Sequence, residues 1–352
     1  KCIKESIKLK SEDSLNLFFL GELYLSTNKY KLAIENFKKV LEIDHKNEAA
    51  LISLARVFIQ TGDFKKSNFY YKLLIEYYPL NFEAHYEYYK IKKDHLSHNL
   101  INRIELELES QNINFKNKIF GKLIIAENEK LNKNYELEIK YLLDSHSTYI
   151  EKKNLAAKQE WNYLTNLLPQ FMAKLQEANI ISFKTKSKLR PIFIMGPPRS
   201  GTTLVENIIV SGKNKINSGG EVESLGKTFY SENIIKDYNS NKIKVDLSQK
   251  EIERIYNGIV YQYEQLGLID KSKDNIFTDK SLENFLYIDL IKKIFPNAKF
   301  IFCYRDPVAN VIGIIKNFLP NIFWAHSLDK IFIYLDMYYQ ILKKVNSDKN
   351  CL

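Results

Sequence analysis

Cysteine, long apolar runs and clustered charge are all scarce in this chain of 352 residues, and each scarcity removes a class of protein. Three cysteines, Cys2, Cys303 and Cys351, make no disulfide framework, so the compartment reads as reducing. Cys303 sits in an apolar run and reads as a small core hydrophobe. No apolar stretch reaches the ~18 residues of a bilayer-spanning helix. The expectation is a cytoplasmic protein, with any targeting segment lying upstream of Lys1. No metal site is expected either: His95 and His98 can share a helix face, but no third ligand accompanies them. Lysine and arginine outnumber the acids to give a net charge of +10, which admits nucleic acid as a partner. Yet the lysines are spread evenly and form no basic stripe or recognition helix, so a polyanionic small ligand is the simpler partner. What the chain does have is a 45% hydrophobic and 13% aromatic content, enough for packed cores, in a length that favours two domains.

The first part of the chain repeats itself. Leu17, Leu20, Gly21, Tyr24, Ala33, Phe37 and Val40 align with Leu51, Leu54, Ala55, Phe58, Ser67, Tyr71 and Leu74 at a constant offset of 34. That is the tetratricopeptide period, in which small residues let paired helices approach and aromatic residues fill the gaps. Residues 14–81 make two repeats ending at Pro79. A third, near 82–115, loses the pattern after Tyr89, and a fourth persists as Ala126, Tyr135 and Leu142. Such arrays present a groove to protein or peptide segments, or serve only as a scaffold for a neighbouring domain. Residues 151–190 then read as a helical connector with Trp161, Leu164, Leu167, Phe171, Met172 and Leu175. Its polar tail, 184–190, ends at Pro191.

A different pattern follows. The apolar run Ile192-Phe193-Ile194-Met195 predicts a buried strand, and Gly196-Pro197-Pro198-Arg199-Ser200-Gly201-Thr202-Thr203-Leu204 predicts a loop and a helix start. The Gly196 to Gly201 spacing is that of a nucleotide phosphate loop, whose glycines let backbone N–H groups approach an anion at a helix N-terminus. Position 202 is Thr where an NTPase loop has Lys, which argues against Mg-ATP or Mg-GTP chemistry and against a kinase. Further on, Gly219-Gly220-Glu221-Val222-Glu223 offers two candidate carboxylates, and Phe277-Thr278-Asp279-Lys280 precedes an amphipathic helix expected over 281–295 and closed by Pro296. Phe300-Ile301-Phe302-Cys303-Tyr304-Arg305-Asp306-Pro307 predicts a second apolar strand, with Cys303 in it, that ends in the Arg305-Asp306-Pro307 turn and is followed by a helical run over 308–318. Taken alone, Glu221 and Glu223 read as solvated loop acids, and Lys280 as an ordinary surface lysine.

These segments, in this order, resemble tetratricopeptide-repeat sulfotransferases that use 3′-phosphoadenosine 5′-phosphosulfate (PAPS), with a catalytic domain of the tyrosylprotein-sulfotransferase type. The resemblance implies a fold of α plus α/β class. An N-terminal α-helical tetratricopeptide solenoid (1–150) and the connector (151–190) lead to a P-loop-like α/β sulfotransferase domain (191–352) with a central parallel sheet. That domain is expected to continue beyond Leu352. The resemblance also implies that Pro198, Arg199, Ser200, Gly201, Thr202 and Thr203 hold the 5′-phosphosulfate and that Arg305 holds the 3′-phosphate. It makes Glu221 the base that takes the acceptor proton and Lys280 the cation beside the transferring group, with no metal. The activity implied is sulfuryl transfer from PAPS to a hydroxyl of a protein, peptide, saccharide or small metabolite. One position departs from the pattern: Gly313 stands eight residues after Arg305, where the family has Ser. Either a neighbour compensates or 3′-phosphate binding loses roughly 0.5–1.5 kcal/mol. The alternative motivated by Gly313 is a repeat adaptor whose transferase domain is inactive. His326 does not match the histidine base of other soluble sulfotransferases.

Overall fold

The computed structural model describes residues 13–345 except 28, 93–95, 179–188, 213–215, 236, 244–246 and 271–274. Cys2, Cys351, His95 and residues 184–188 of the connector tail lie outside the described residues. The backbone divides into two compact units, residues 1–149 and 150–352.

The first unit is a succession of helices: α1 (Ser14–Ser26), α2 (Tyr30–Ile43), α3 (Glu48–Gln60), α4 (Phe64–Tyr77), α5 (Phe82–Lys92), α6 (His98–Glu109), α7 (Phe115–Leu131) and α8 (Tyr135–Lys152). The repeat shows in the caps as well as in the core. Asp13, Asn47 and Asn81 stand 34 residues apart, and each accepts a backbone N–H from the first turn of the helix it precedes, those of Leu15, Ala50 and Ala84. Gly21 is required because a Cβ there would come within 2.5 Å of the Phe37 ring. Around that contact Ala33, Phe37, Leu54, Val57 and Phe58 form one buried cluster. Where the sequence pattern fades after Tyr89 the pairing changes: α5 and α6 both pack against α7, whose Gly121 lies against Phe82 of α5 and Ile104 and Leu108 of α6.

In the second unit, α9 (Asn154–Asn162), a π-helical turn (Tyr163–Leu167) and α10 (Leu168–Glu177) bury Leu164, Leu167, Leu168, Phe171 and Leu175. These side chains share one core with Phe193, Phe277 and Phe300 of the sheet. The sheet has three parallel strands, β1 (Leu189–Met195), β2 (Asn275–Asp279) and β3 (Lys299–Phe302), in the order β2-β1-β3. Phe193 pairs with Asp279 on one side and with Phe300 on the other. Between β1 and β2 come α11 (Thr202–Val210), α12 (Ser224–Ser231) and α13 (Gln249–Gln265). After β3 come α15 (Pro307–Ile315) and α16 (Leu328–Val345), with α14 (Ile288–Ile294) preceding that strand. Parallel strands flanked on both sides by their crossovers leave a crevice at their carboxyl ends, the usual ligand position in open α/β sheets.

The helix expected over 281–295 is broken. Asp279 is fully buried, and its Oδ1 accepts from Ser281 N, Ser281 Oγ and Asn284 Nδ2 at 3.0, 2.6 and 2.8 Å. Those bonds hold the chain in a turn, so only a 3₁₀ turn at Asn284–Tyr287 and the short α14 follow. The helix expected over 308–318 likewise ends at Ile315.

Candidate active site

The loop after Met195, the Lys280 segment and the Arg305 turn leave the carboxyl ends of the three strands, and the segment 217–221 comes in beside β2. After Met195 the chain passes through Gly196, where a Cβ would lie 2.4 Å from Ser200 Oγ and 3.0 Å from Cys303 Cβ. Pro197 carbonyl accepts from Ser200 N at 3.2 Å, closing a turn, and Gly201 caps α11 with φ +98°. Arg199 has φ +68°, a conformation that non-glycine residues adopt at a cost and that clusters at ligand sites. Thr202, in place of the NTPase lysine, begins α11.

The β3 turn holds this loop from the side. Cys303 N donates to Met195 carbonyl at 2.7 Å, Arg305 Nη1 to Arg199 carbonyl at 2.7 Å, and Asn310 Nδ2 to Pro198 carbonyl at 2.5 Å. Asp306 and Pro307 do local work: Asp306 Oδ1 accepts from Ala309 N at 2.8 Å as the cap of α15, and Pro307 takes the first helical position. Tyr338, from α16, donates to Cys303 carbonyl at 2.8 Å. Gly313 faces Arg199 across this junction, where a Cβ would meet Arg199 Cβ at 3.2 Å and Cγ at 3.5 Å. The residue that departs from the family pattern is therefore the one over which the loop arginine lies.

On the β2 side, the segment leading to Glu221 runs beside β2, with Asn217 bridged to Phe277. Gly219 is needed because a Cβ there would fall 2.1 Å from Thr278 carbonyl, and Gly220 because its φ is +65°. Lys280 N donates to Gly220 carbonyl at 2.9 Å, and Lys280 Nζ pairs with Glu221 Oε1 at 2.7 Å. The lysine side chain is 9% exposed and the glutamate 64%, so the pair has a buried cation and an open carboxylate. Glu223 points elsewhere: it is paired with Lys227 at 3.6 Å while its N–H donates to Ser281 Oγ at 2.7 Å. Two juxtapositions thus join residues far apart in sequence, Arg199 with Arg305 and Glu221 with Lys280.

Sequence reasoning missed three groups. Glu206 of α11 is 3% exposed and accepts from Ser218 Oγ, Gly220 N and Thr278 Oγ1. Glu160 and Glu283 face a cavity of about 760 Å³ that opens beside Glu221 and is also walled by Tyr230, Tyr287 and Trp324. Burial pushes the Glu283 carboxyl up to about 8, aided by the charges of Glu160 and Glu223. Burial also lifts Glu160 to about 7, against the pull of the Trp324 and Phe323 N–H groups it accepts. No pattern in the sequence marks these acids, because their neighbours come from three separate helical turns. His326 is a packing residue, buried against Phe318 with Nε2 3.0 Å from Leu319 carbonyl.

Residues 191–346 match the sulfotransferase family model, and residues 16–47 match a tetratricopeptide repeat. The chain joins tetratricopeptide repeats to a sulfotransferase-family domain. An Aquifex aeolicus (strain VF5) protein described as an uncharacterized protein is 32% identical over an alignment of 129 residues that covers 33% of this chain. This chain spans 16% of that relative's length. The family match supports a sulfotransferase activity in general, and among the described residues no helix is long and apolar enough to cross a membrane.

Proposed function

We propose that the sulfotransferase domain transfers the sulfuryl group of PAPS to an acceptor hydroxyl at the Glu221–Lys280 pair. The observation that carries this reading is the bond from Arg305 to the Arg199 carbonyl. It brings the arginine expected at the 3′-phosphate against the loop expected at the 5′-phosphosulfate, so one doubly phosphorylated nucleotide can touch both. The loop N–H groups and the two guanidinium groups suit an anion, since an arginine fork can hold two phosphate oxygens. Gly313 supports an active site rather than an inactive adaptor domain, because its missing side chain leaves the space that Arg199 uses.

In the proposed reaction an acceptor oxygen bonds to sulfur while its proton passes to the Glu221 carboxylate. The bond from sulfur to the 5′-phosphate oxygen breaks with its electron pair remaining on that oxygen. The Lys280 ammonium, held at the mouth of β2, stabilises that charge. Exposure of Glu221 leaves it open to an acceptor, and the 760 Å³ cavity beside it is the proposed acceptor cleft. The repeat unit is proposed to bind a protein or peptide segment, as its family class suggests.

Glu221→Gln tests the assignment. Turnover should fall about 10²- to 10⁴-fold with labelled PAPS and fractionated cell extract as acceptor source, while calorimetric affinity for 3′-phosphoadenosine 5′-phosphate stays within about threefold. An unaltered rate removes Glu221 from the base role. Absence of nucleotide binding at millimolar concentration would favour the adaptor, and tight Mg-ATP binding a kinase.

A further inference from the structure

Glu206 lies on the phosphate-loop helix, one turn after Thr202, yet its carboxylate turns away from the loop and toward the base segment. One oxygen, Oε1, accepts from Thr278 Oγ1 at 2.6 Å, Gly220 N at 2.9 Å and Ser218 Oγ at 3.1 Å. Thr278 Oγ1 in turn accepts from Gly219 N at 3.2 Å. The carboxylate is 3% exposed and all three donors are neutral. Burying a polar group costs free energy unless its hydrogen bonds are made, and here one oxygen collects three of them. Its three partners are two residues of the segment 218–220 and the strand residue two positions before Lys280. Glu221 follows directly on Gly220 and Lys280 stands two residues past Thr278, so both members of the pair leave segments that Glu206 holds, and Glu206 itself belongs to the helix that begins at the phosphate loop.

We infer that Glu206 is a positioning residue that fixes the Gly219-Gly220-Glu221 segment and the end of β2 to the phosphate-loop helix, setting the placement of Glu221 over the transferring group. It touches neither substrate nor the reacting atoms. The inference rests on the proposed role of Glu221, but the clamp itself has consequences that need no turnover. A misplacement of about 1 Å at a reacting centre costs on the order of 10²-fold in rate. Glu206→Leu removes the acceptor and keeps the volume, so kcat should fall about 10- to 100-fold while the affinity for 3′-phosphoadenosine 5′-phosphate changes less than about threefold. Glu206→Gln keeps an oxygen that can accept from Gly220 N and Thr278 Oγ1, so it should return kcat to within about threefold of the parent protein. Hydrogen exchange over 216–222 should quicken about tenfold in Glu206→Leu and not in Glu206→Gln.

Should Glu206→Leu fail to fold, Thr278→Val deletes one donor and gives the same readouts at smaller amplitude. Exchange over 216–222 that is unchanged in the variant overturns the clamp, whether or not the parent protein transfers sulfate. Equal losses of kcat, nucleotide affinity and melting temperature, with no rescue by Gln, also overturn it by reducing Glu206 to general packing. Faster exchange with an unaffected kcat in an active enzyme overturns the link to Glu221.

Discussion

Gly313→Ala places two opposing effects on one methyl group. In the interior of α15, alanine should stabilise the helix by about 0.5–1 kcal/mol relative to glycine. Across the junction, however, the new Cβ lies 3.2 Å from Arg199 Cβ and 3.5 Å from Cγ. Ordinary carbon contacts begin near 3.5 Å, so Arg199 must withdraw by about 0.3–0.5 Å. The arginine has little freedom to do so, because its carbonyl receives Arg305 Nη1, its neighbour Pro198 receives Asn310 Nδ2, and its own φ is already +68°. A hydrogen bond from a guanidinium to phosphate contributes about 1.5–3 kcal/mol. Loss of roughly half of one such bond would raise the dissociation constant for 3′-phosphoadenosine 5′-phosphate about 3- to 10-fold. The expected result is an unusual split: a melting temperature equal to or above that of the parent protein, with weaker nucleotide binding. Differential scanning calorimetry and titration calorimetry on the same preparation read both. Unchanged affinity in Gly313→Ala would refute the reasoning, since the contact with Arg199 would then have no consequence for the ligand. Gly313→Ser separates crowding from chemistry. If it binds more tightly than the parent protein, the restored hydroxyl outweighs the displaced arginine.

Arg305→Ala should weaken nucleotide binding about 10- to 150-fold, the range of a lost charge-assisted bond, and Arg305→Lys should restore little because a lysine cannot reproduce the fork; full recovery with Lys would argue for a point-charge role. Glu160 and Glu283 carry raised carboxyl values of about 7 and about 8, against an ordinary 4.5, so the folded state keeps protons that the unfolded chain releases. Their stabilising effect is complete below about pH 4.5 and is lost as pH rises through 7 to 8, so melting temperature should decline over that window. Glu283→Gln should flatten the slope, and a wild-type profile level from pH 5 to 8.5 would contradict the assigned shifts. In the repeat unit, Gly21→Ala should destabilise by about 1–3 kcal/mol, because the added carbon falls 2.5 Å from the buried Phe37 ring; thermal denaturation showing no loss would mean that α1 shifts freely.

Much of this architecture was legible in the residues. The 34-residue offset announces paired helices because each repeat needs the same small and aromatic residues at the same closest approaches, and the caps at Asp13, Asn47 and Asn81 obey it too. The glycines at 201 and 220 are equally readable, since each answers a backbone requirement of its own turn, a positive φ. The break after Asp279 was not, because the helical periodicity over 281–295 is real and only a buried carboxylate gathering Ser281 and Asn284 overrides it.

By itself, then, the sequence determined what a repeat period or a strand-and-loop pattern carries: the repeat, the strand and loop units, and their order. Only the tertiary structure decided who meets whom. Arg305 reaches Arg199 across 106 positions and Thr278 reaches Glu206 across 72, distances over which no periodicity carries information. Glu206 reads locally as one more helix acid, and Gly313 reads as a lost hydroxyl. Packing makes the first a buried acceptor for three donors and the second a space for Arg199, because a side chain's chemistry depends on the neighbours that folding brings within a few ångströms.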